Sequence, residues 1–241
     1  MCTVSFIPVN NKVYLTSNRD EKHFRSSAIP PSVYETGTGK LLYPKDPDAG
    51  GTWIALHENG NAIIFLNGAF IKHLSEPPYS KSRGVILLEL ISDASPVHKF
   101  STIDLTFIEP FTAVILNENR IYECRWDASR KYVLELDPSE AHIWSSVTLY
   151  DEEVISRRKS WFAGWKQKHP DPVLEDILHF HRFSGDGDSN NDLMMNRNGL
   201  VYTVSITGLE IRDNLGFMKY LDLKNKLEHT QEINFRKYIL H

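Results

Sequence analysis

The sequence predicts an α+β fold, because paired-strand signals occupy both ends of the chain while the helical segments group between them. Cys2 to Val9 reads as a strand, Asn10-Asn11 as a turn and Lys12 to Ser17 as the returning strand, rich in β-branched and aromatic residues. A second hairpin joins Trp53 to His57 with Asn61 to Leu66 through Glu58-Asn59-Gly60, where Asn-Gly supplies the turn. A third joins Phe111 to Leu116 with Ile121 to Trp126 through Asn117-Glu118-Asn119. Tyr132 to Leu136 and Ala141 to Trp144 add strands, and Leu200 to Thr207, Gly208 to Ile211 and Gly216 to Leu223 add three more near the end.

The helices follow from apolar spacing. Ser82 to Ser92 carries Val85, Leu88 and Ile91 on one face. Tyr150 to Gln167 carries Val154, Trp161, Phe162 and Trp165, and Glu175 to Arg182 reads as a further helix. Pro30-Pro31, Thr36 to Gly51 and Ser184 to Asn191 read as loops, and the polar segment from Lys224 as partly helical. With no long linker and no internal repeat, residues 1–241 are expected to form a single domain.

Composition narrows the function. The 241 residues are 41% hydrophobic, enough for a substantial core, and the formal net charge of -4 offers no electrostatic case for nucleic acid. Two cysteines, Cys2 and Cys124, are too few for a secreted disulfide scaffold. No basic-plus-apolar leader pattern occurs, and apolar runs such as Ala62 to Leu66 fall far below the roughly 20 residues of a membrane span. A soluble, cytoplasmic protein without an integral membrane segment is expected.

Three features can carry chemistry. Cys2 follows the initiator methionine, whose removal would leave a thiol and a free α-amine on one residue. Their reference pKa values, about 8.5 and about 7.7–8.0, are close enough for the amine to take the thiol proton near neutral pH. From its position alone, Cys2 reads more readily as a small residue opening a strand. Asn18-Arg19-Asp20-Glu21 follows the second strand, and hairpin pairing brings its end beside the start of the first. Asp20 could there orient the α-ammonium, and Arg19 could lower the thiol pKa or hold a carboxylate. The same tetrapeptide also reads as a solvated turn. Asn67-Gly68 closes the strand before it, where a carboxamide N–H can donate to a developing oxyanion, although Asn-Gly is also a common turn.

Together with Gly50-Gly51-Thr52-Trp53 and Ser82-Arg83-Gly84, these features resemble the NRDE family, which includes the Transport and Golgi organisation protein 2 group. The family is similar to N-terminal-nucleophile hydrolases such as penicillin V acylase and bile salt hydrolase. The resemblance therefore implies a four-layer αββα sandwich of antiparallel sheets. It also implies Cys2 as nucleophile with its amine as base, Asp20 orienting the amine, Asn67 in the oxyanion hole, and Asn18, Arg19, Trp53 and Ser146 contacting substrate. The implied reaction is hydrolysis of an acyl amide through a Cys2 thioester, with no cofactor and no metal.

The chain departs from the acylase pattern in three places. Ser17 stands where the acylases carry an arginine, Ser145-Ser146 where many carry an asparagine, and Tyr202 to Thr207 lacks a late-strand arginine. These departures keep a second reading open, a non-catalytic carrier of haem or a lipid-like acyl ligand, and a third, a protein-interaction role in membrane traffic. Asp186 to Asn190 resembles the start of a calcium loop, but Asn191 and Arg197 stand where glycine and glutamate are needed. His179 and His181, two apart on a helix, do not share a face, so no metal is expected there either.

Overall fold

The computed structural model describes residues 3–236. Cys2, the expected nucleophile, lies outside them, as does the end of the expected polar tail. Two seven-stranded antiparallel sheets stack face to face. The first contains β1 (Thr3–Val9), β2 (Lys12–Lys22), β10 (His142–Ser145), β11 (Asn196–Arg197), β12 (Val201–Arg212), β13 (Leu215–Asp222) and β14 (Leu227–Asn234). Its order is β10-β1-β2-β12-β13-β14, with β11 paired to β12. The second runs in chain order through β3 (Ile29–Thr36), β4 (Gly39–Lys45), β5 (Ile54–His57), β6 (Ala62–Asn67), β7 (Phe111–Asn117), β8 (Arg120–Trp126) and β9 (Lys131–Leu136).

Strand alternation assigns each face. Val4, Phe6, Leu15, Leu209 and Met218 of the first sheet meet Ile54, Leu56, Ile64, Leu66 and Val114 of the second in the central core. The second sheet's outer face buries Ile63, Phe65, Ala113 and Ile115 under α1 (Arg83–Ile91) and α2 (Pro96–Thr102). Across the molecule, Ile7, Tyr14 and Ile206 lie under α3 (Glu152–Lys168) and α4 (Leu174–Phe183). The result is the expected αββα sandwich.

Several local expectations are corrected. Residues 29–45 form a hairpin rather than a loop. β3 is an edge strand whose pairing is interrupted between Ile29 and Ser32, so Pro30 and Pro31 sit where missing N–H donors do no harm. The expected strands Leu200 to Thr207 and Gly208 to Ile211 are one strand, β12 (Val201–Arg212). A Cβ at Gly208 would lie 2.7 Å from Leu174 Cδ1, so this glycine admits α4 against the sheet rather than breaking the strand. Among the described residues the segment from Lys224 holds the edge strand β14 and no helix, and Ile233 is the sole buried residue of that strand. On α1 the buried residues are Ile86, Leu87, Leu90 and Ile91, so Val85 and Leu88 lie on its flank. Proline-led α2 was not expected. Most relevant to function, β2 continues to Lys22, which places Asn18 to Glu21 inside a central strand rather than past its end.

Candidate active site

Because β2 is a regular strand there, its polar tetrapeptide divides between two faces. Leu15 points into the central core and Tyr14 toward the helices. Arg19 and Glu21 share the first direction, and Asn18 and Asp20 the second.

On the core side, Arg19 is 3% exposed and its guanidinium stacks 4.8 Å from the Trp53 ring centroid. Its Nη2 donates to Asp46 Oδ2 at 2.8 Å and lies 3.4 Å from Glu21 Oε1. Arg25 donates to the same Asp46 oxygen at 2.6 Å. The other oxygen of Asp46 accepts from the backbone N–H groups of Asp48 and Ala49, a local turn that fixes the carboxylate before the arginines meet it.

The glycine motifs are explained by the opposite wall. A Cβ on Gly51 would lie 2.3 Å from the backbone carbon of Gly84, and one on Gly84 2.8 Å from Thr52 O. The two chains touch backbone to backbone, joined by Thr52 N–H donating to Gly84 O at 3.3 Å. Gly50 adopts φ +69°, a conformation that favours glycine. Ser82 caps α1, and the next residue, Arg83, pairs with Glu109 at 3.1 Å. All these motifs line one cleft of about 160 Å³, to which Asn67 also contributes.

Asn67 ends β6 and lines a second cleft of about 410 Å³ as well. Leu66, Leu136, Ile143, Trp144, Val147 and Phe162 supply its apolar surface. Glu123 lies in its wall, accepting from Trp144 Nε1 at 2.6 Å and Arg125 Nε at 2.8 Å. Ser146, 1% exposed, donates its hydroxyl to Asn67 O at 2.8 Å. It therefore supports Asn67 from behind and lines neither cleft.

On the helix side of β2 the polar groups are sealed. Asn18 Nδ2 donates to His181 O and Leu193 O, at 3.0 and 2.7 Å. His181 is fully buried, and burial first, then the Arg158 charge, pushes its pKa down to about 3. The neutral ring must therefore donate from Nδ1 to Asn18 Oδ1 and accept at Nε2 from Ser5 Oγ. Asp20 accepts from Tyr150 OH at 2.8 Å and from Thr203 Oγ1 at 2.6 Å. A register shift between Thr203 and Ser205 sets Thr203, not Val204, opposite Asp20.

Arg19, Trp53 and Asn67 thus converge on the cleft, whereas Asn18 and Ser146 form buried supports and Asp20 is held by Tyr150 and Thr203 on the helix side of β2. The β1 register closes on the same region, pairing Thr3 with Asn18 on one side and Ser145 on the other. Cys124 is buried, and burial followed by the nearby Glu123 charge pushes its thiol up to about 12, a poor nucleophile. Sequence reasoning missed Asp46, Tyr150 and Arg158. Arg158 did leave a signal, since it interrupts the buried face Val154, Arg158, Phe162 at four-residue spacing. Among the described residues no cluster of three or more His, Cys, Asp or Glu could hold a metal.

No curated protein matches the chain. Solved structures do. The Caenorhabditis elegans ortholog of N-acylethanolamine-hydrolyzing acid amidase superimposes with TM-score 0.60 at 10% identity, covering 86% of this chain and 92% of that one. A mutant conjugated bile acid hydrolase from Clostridium perfringens gives TM-score 0.60 at 10% identity, covering 98% of both chains. Another variant of that hydrolase gives 0.61 at 10% identity, covering 95% of this chain and 92% of that one. At such identities the match speaks for the fold, which is that of the N-terminal-nucleophile hydrolases. A family model described as Transport and Golgi organisation 2 matches residues 1–181, most of the chain, and the protein belongs to that family.

Proposed function

We propose that this protein is a cytoplasmic, single-domain amidohydrolase that uses Cys2, freed of Met1, to cleave a small or lipid-like acyl amide. One observation carries the reading: Arg19 and Glu21, then Gly51, Thr52 and Trp53, then Ser82, Arg83 and Gly84, from three separate elements, line one cleft together with Asn67. Thr3, the residue that follows Cys2 in the chain, pairs with Asn18 at the start of β1. The larger apolar cleft beyond Asn67 suits an acyl chain, and the arginine-lined cleft suits the polar group released. Among the described residues no helix is long and apolar enough to cross a membrane.

In this reaction the α-amine takes the thiol proton and the sulfur attacks the amide carbon. Asn67 N–H holds the resulting oxyanion. The ammonium then protonates the departing nitrogen, the C–N bond breaks, and a thioester remains on Cys2. Water, losing a proton to the amine, attacks the thioester. The acid departs, and the sulfur regains a proton.

A panel of acyl amides incubated with the wild type and Cys2→Ala tests this reading. Hydrolysis lost in a folded Cys2→Ala protein is expected. Undiminished hydrolysis in that variant, or an intact mass retaining Met1 in all molecules of an active protein, would overturn it. A carrier role for an acyl ligand is the second reading. It is favoured by Ser146, which supplies a hydroxyl spent on Asn67 O in place of a carboxamide. Acyl-ligand binding without turnover by the wild type would select it.

A further inference from the structure

Arg158 is 0% exposed and heads the largest fully buried side chains of the protein. Its Nη1 donates to Thr3 Oγ1 at 2.6 Å, Nε and Nη2 to Asn191 O, and Nη2 also to Asp192 O. Among the described residues none of these bonds reaches a carboxylate. A buried cation without a paired anion is costly. Its guanidinium lies 3.6 Å from the Tyr150 ring centroid, with Arg197 at 5.4 Å from the same ring. The Tyr150 hydroxyl donates to Asp20 at 2.8 Å. One chain of contacts thus runs from α3 through Tyr150 to Asp20, and a second from α3 directly to Thr3, the neighbour of Cys2.

We propose that Arg158 and Tyr150 are positioning residues that set the protonation of the Cys2 thiol and amine, Arg158 by its charge and Tyr150 by tethering Asp20. The inference rests on the amidohydrolase reading above. The charged and titratable groups around the start of β1 are Arg19, Asp20 and Glu21 on β2, Tyr150 before α3, Arg158 on α3, His181 on α4, Arg197 on β11 and Arg83 on α1. Arg19 is paired with Asp46, Arg83 with Glu109, and His181 is neutral. Arg197 stands farther from Tyr150 than Arg158 does, so Arg158, bonded also to Thr3, supplies the positive charge that Ser17 does not. A cation favours thiolate over thiol and neutral amine over ammonium, so both shifts take the proton off the residue-2 pair. Freeing Asp20 from Tyr150 leaves its negative charge less neutralised and works the opposite way.

The test is the rate of Cys2 alkylation by iodoacetamide from pH 5 to 10, read by intact mass. It needs no substrate. Cys124 is buried with its pKa pushed up to about 12, and Cys2→Ser reports any labelling there. The wild type should inflect below the free-thiol value of about 8.5. Tyr150→Phe keeps the stacked ring, and Arg158→Met removes the charge. Each should raise the inflection and slow alkylation at pH 7 by about fivefold or more. Arg158→Lys should recover part of the rate. A lowered wild-type inflection that persists in folded Tyr150→Phe and Arg158→Met overturns this proposal and leaves the hydrolase reading intact. A wild-type inflection at the free-thiol value also overturns it, while the Cys2→Ala assay decides the hydrolase reading separately. If Arg158→Met fails to fold, Tyr150→Phe alone decides.

Discussion

The two faces of β2 carry adjacent polar residues to opposite fates. Toward the central core, Arg19 and Glu21 open on a cleft where charges are paired yet reachable. Toward the helices, Asn18 and Asp20 vanish into a network with His181, Tyr150 and Thr203 that solvent does not enter. A single motif is therefore split in two, one pair facing the cleft and the other packed against the helices. The difference teaches that a functional tetrapeptide on a strand should be judged residue by residue, by parity.

The sharpest way to break this comparison is Asn18→Leu. It fills similar volume but strips His181 O and Leu193 O of their donor and leaves His181 Nδ1–H unpaired. A stability loss of about 3–4 kcal/mol is expected in urea unfolding, and a loss below 1 kcal/mol would dissolve the distinction between the faces.

A second effect is pH-dependent. The folded pKa of His181 is depressed to about 3 from 6.5, so its neutral form contributes stability that is fully present above 6.5 and lost as pH falls toward 3. Between pH 6.5 and 5 the wild type should lose stability faster than His181→Gln, by up to about 1.4 kcal/mol per pH unit. Parallel slopes would show that His181 does not hold its proton off.

The smallest effect is expected on the cleft side. Arg19→Met leaves Asp46 its bonds from Arg25 and two backbone N–H groups. The stability loss should be about 1–2 kcal/mol, and a loss equal to that of Asn18→Leu would mean that both faces are structural supports.

What the sequence could reveal follows from how local each cause is. The Asn10-Asn11 and Asn117-Glu118-Asn119 turns were legible because positive φ at Asn10, Glu118 and Asn119 is a property of a few neighbouring residues. The architecture became legible through motif spacing rather than periodicity. The strand character of Asn18 to Glu21 was hidden because four polar residues imitate a solvated turn, and their partners come from 27 residues away at Asp46, 130 at Tyr150 and 163 at His181. Gly208 looked like a break because α4, the element it accommodates, contacts it only in three dimensions. Arg19, Trp53 and Asn67, named through the motif resemblance, lie together at one cleft, while the grip of Asp46 on two arginines left no local trace.

The contact between Gly51 and Gly84 has a mechanical consequence. With no side chain between the two backbones, no rotamer change can loosen them, so the turn after β4 and the first turn of α1 must travel as one rigid body. Any breathing of the small cleft is thereby confined to its other rim, where Arg25 is 29% exposed and held at Asp46 from the solvent side. A ligand too large for the cleft at rest would have to enter by displacing that guanidinium, which makes Arg25 the latch and the paired glycines the fixed jamb.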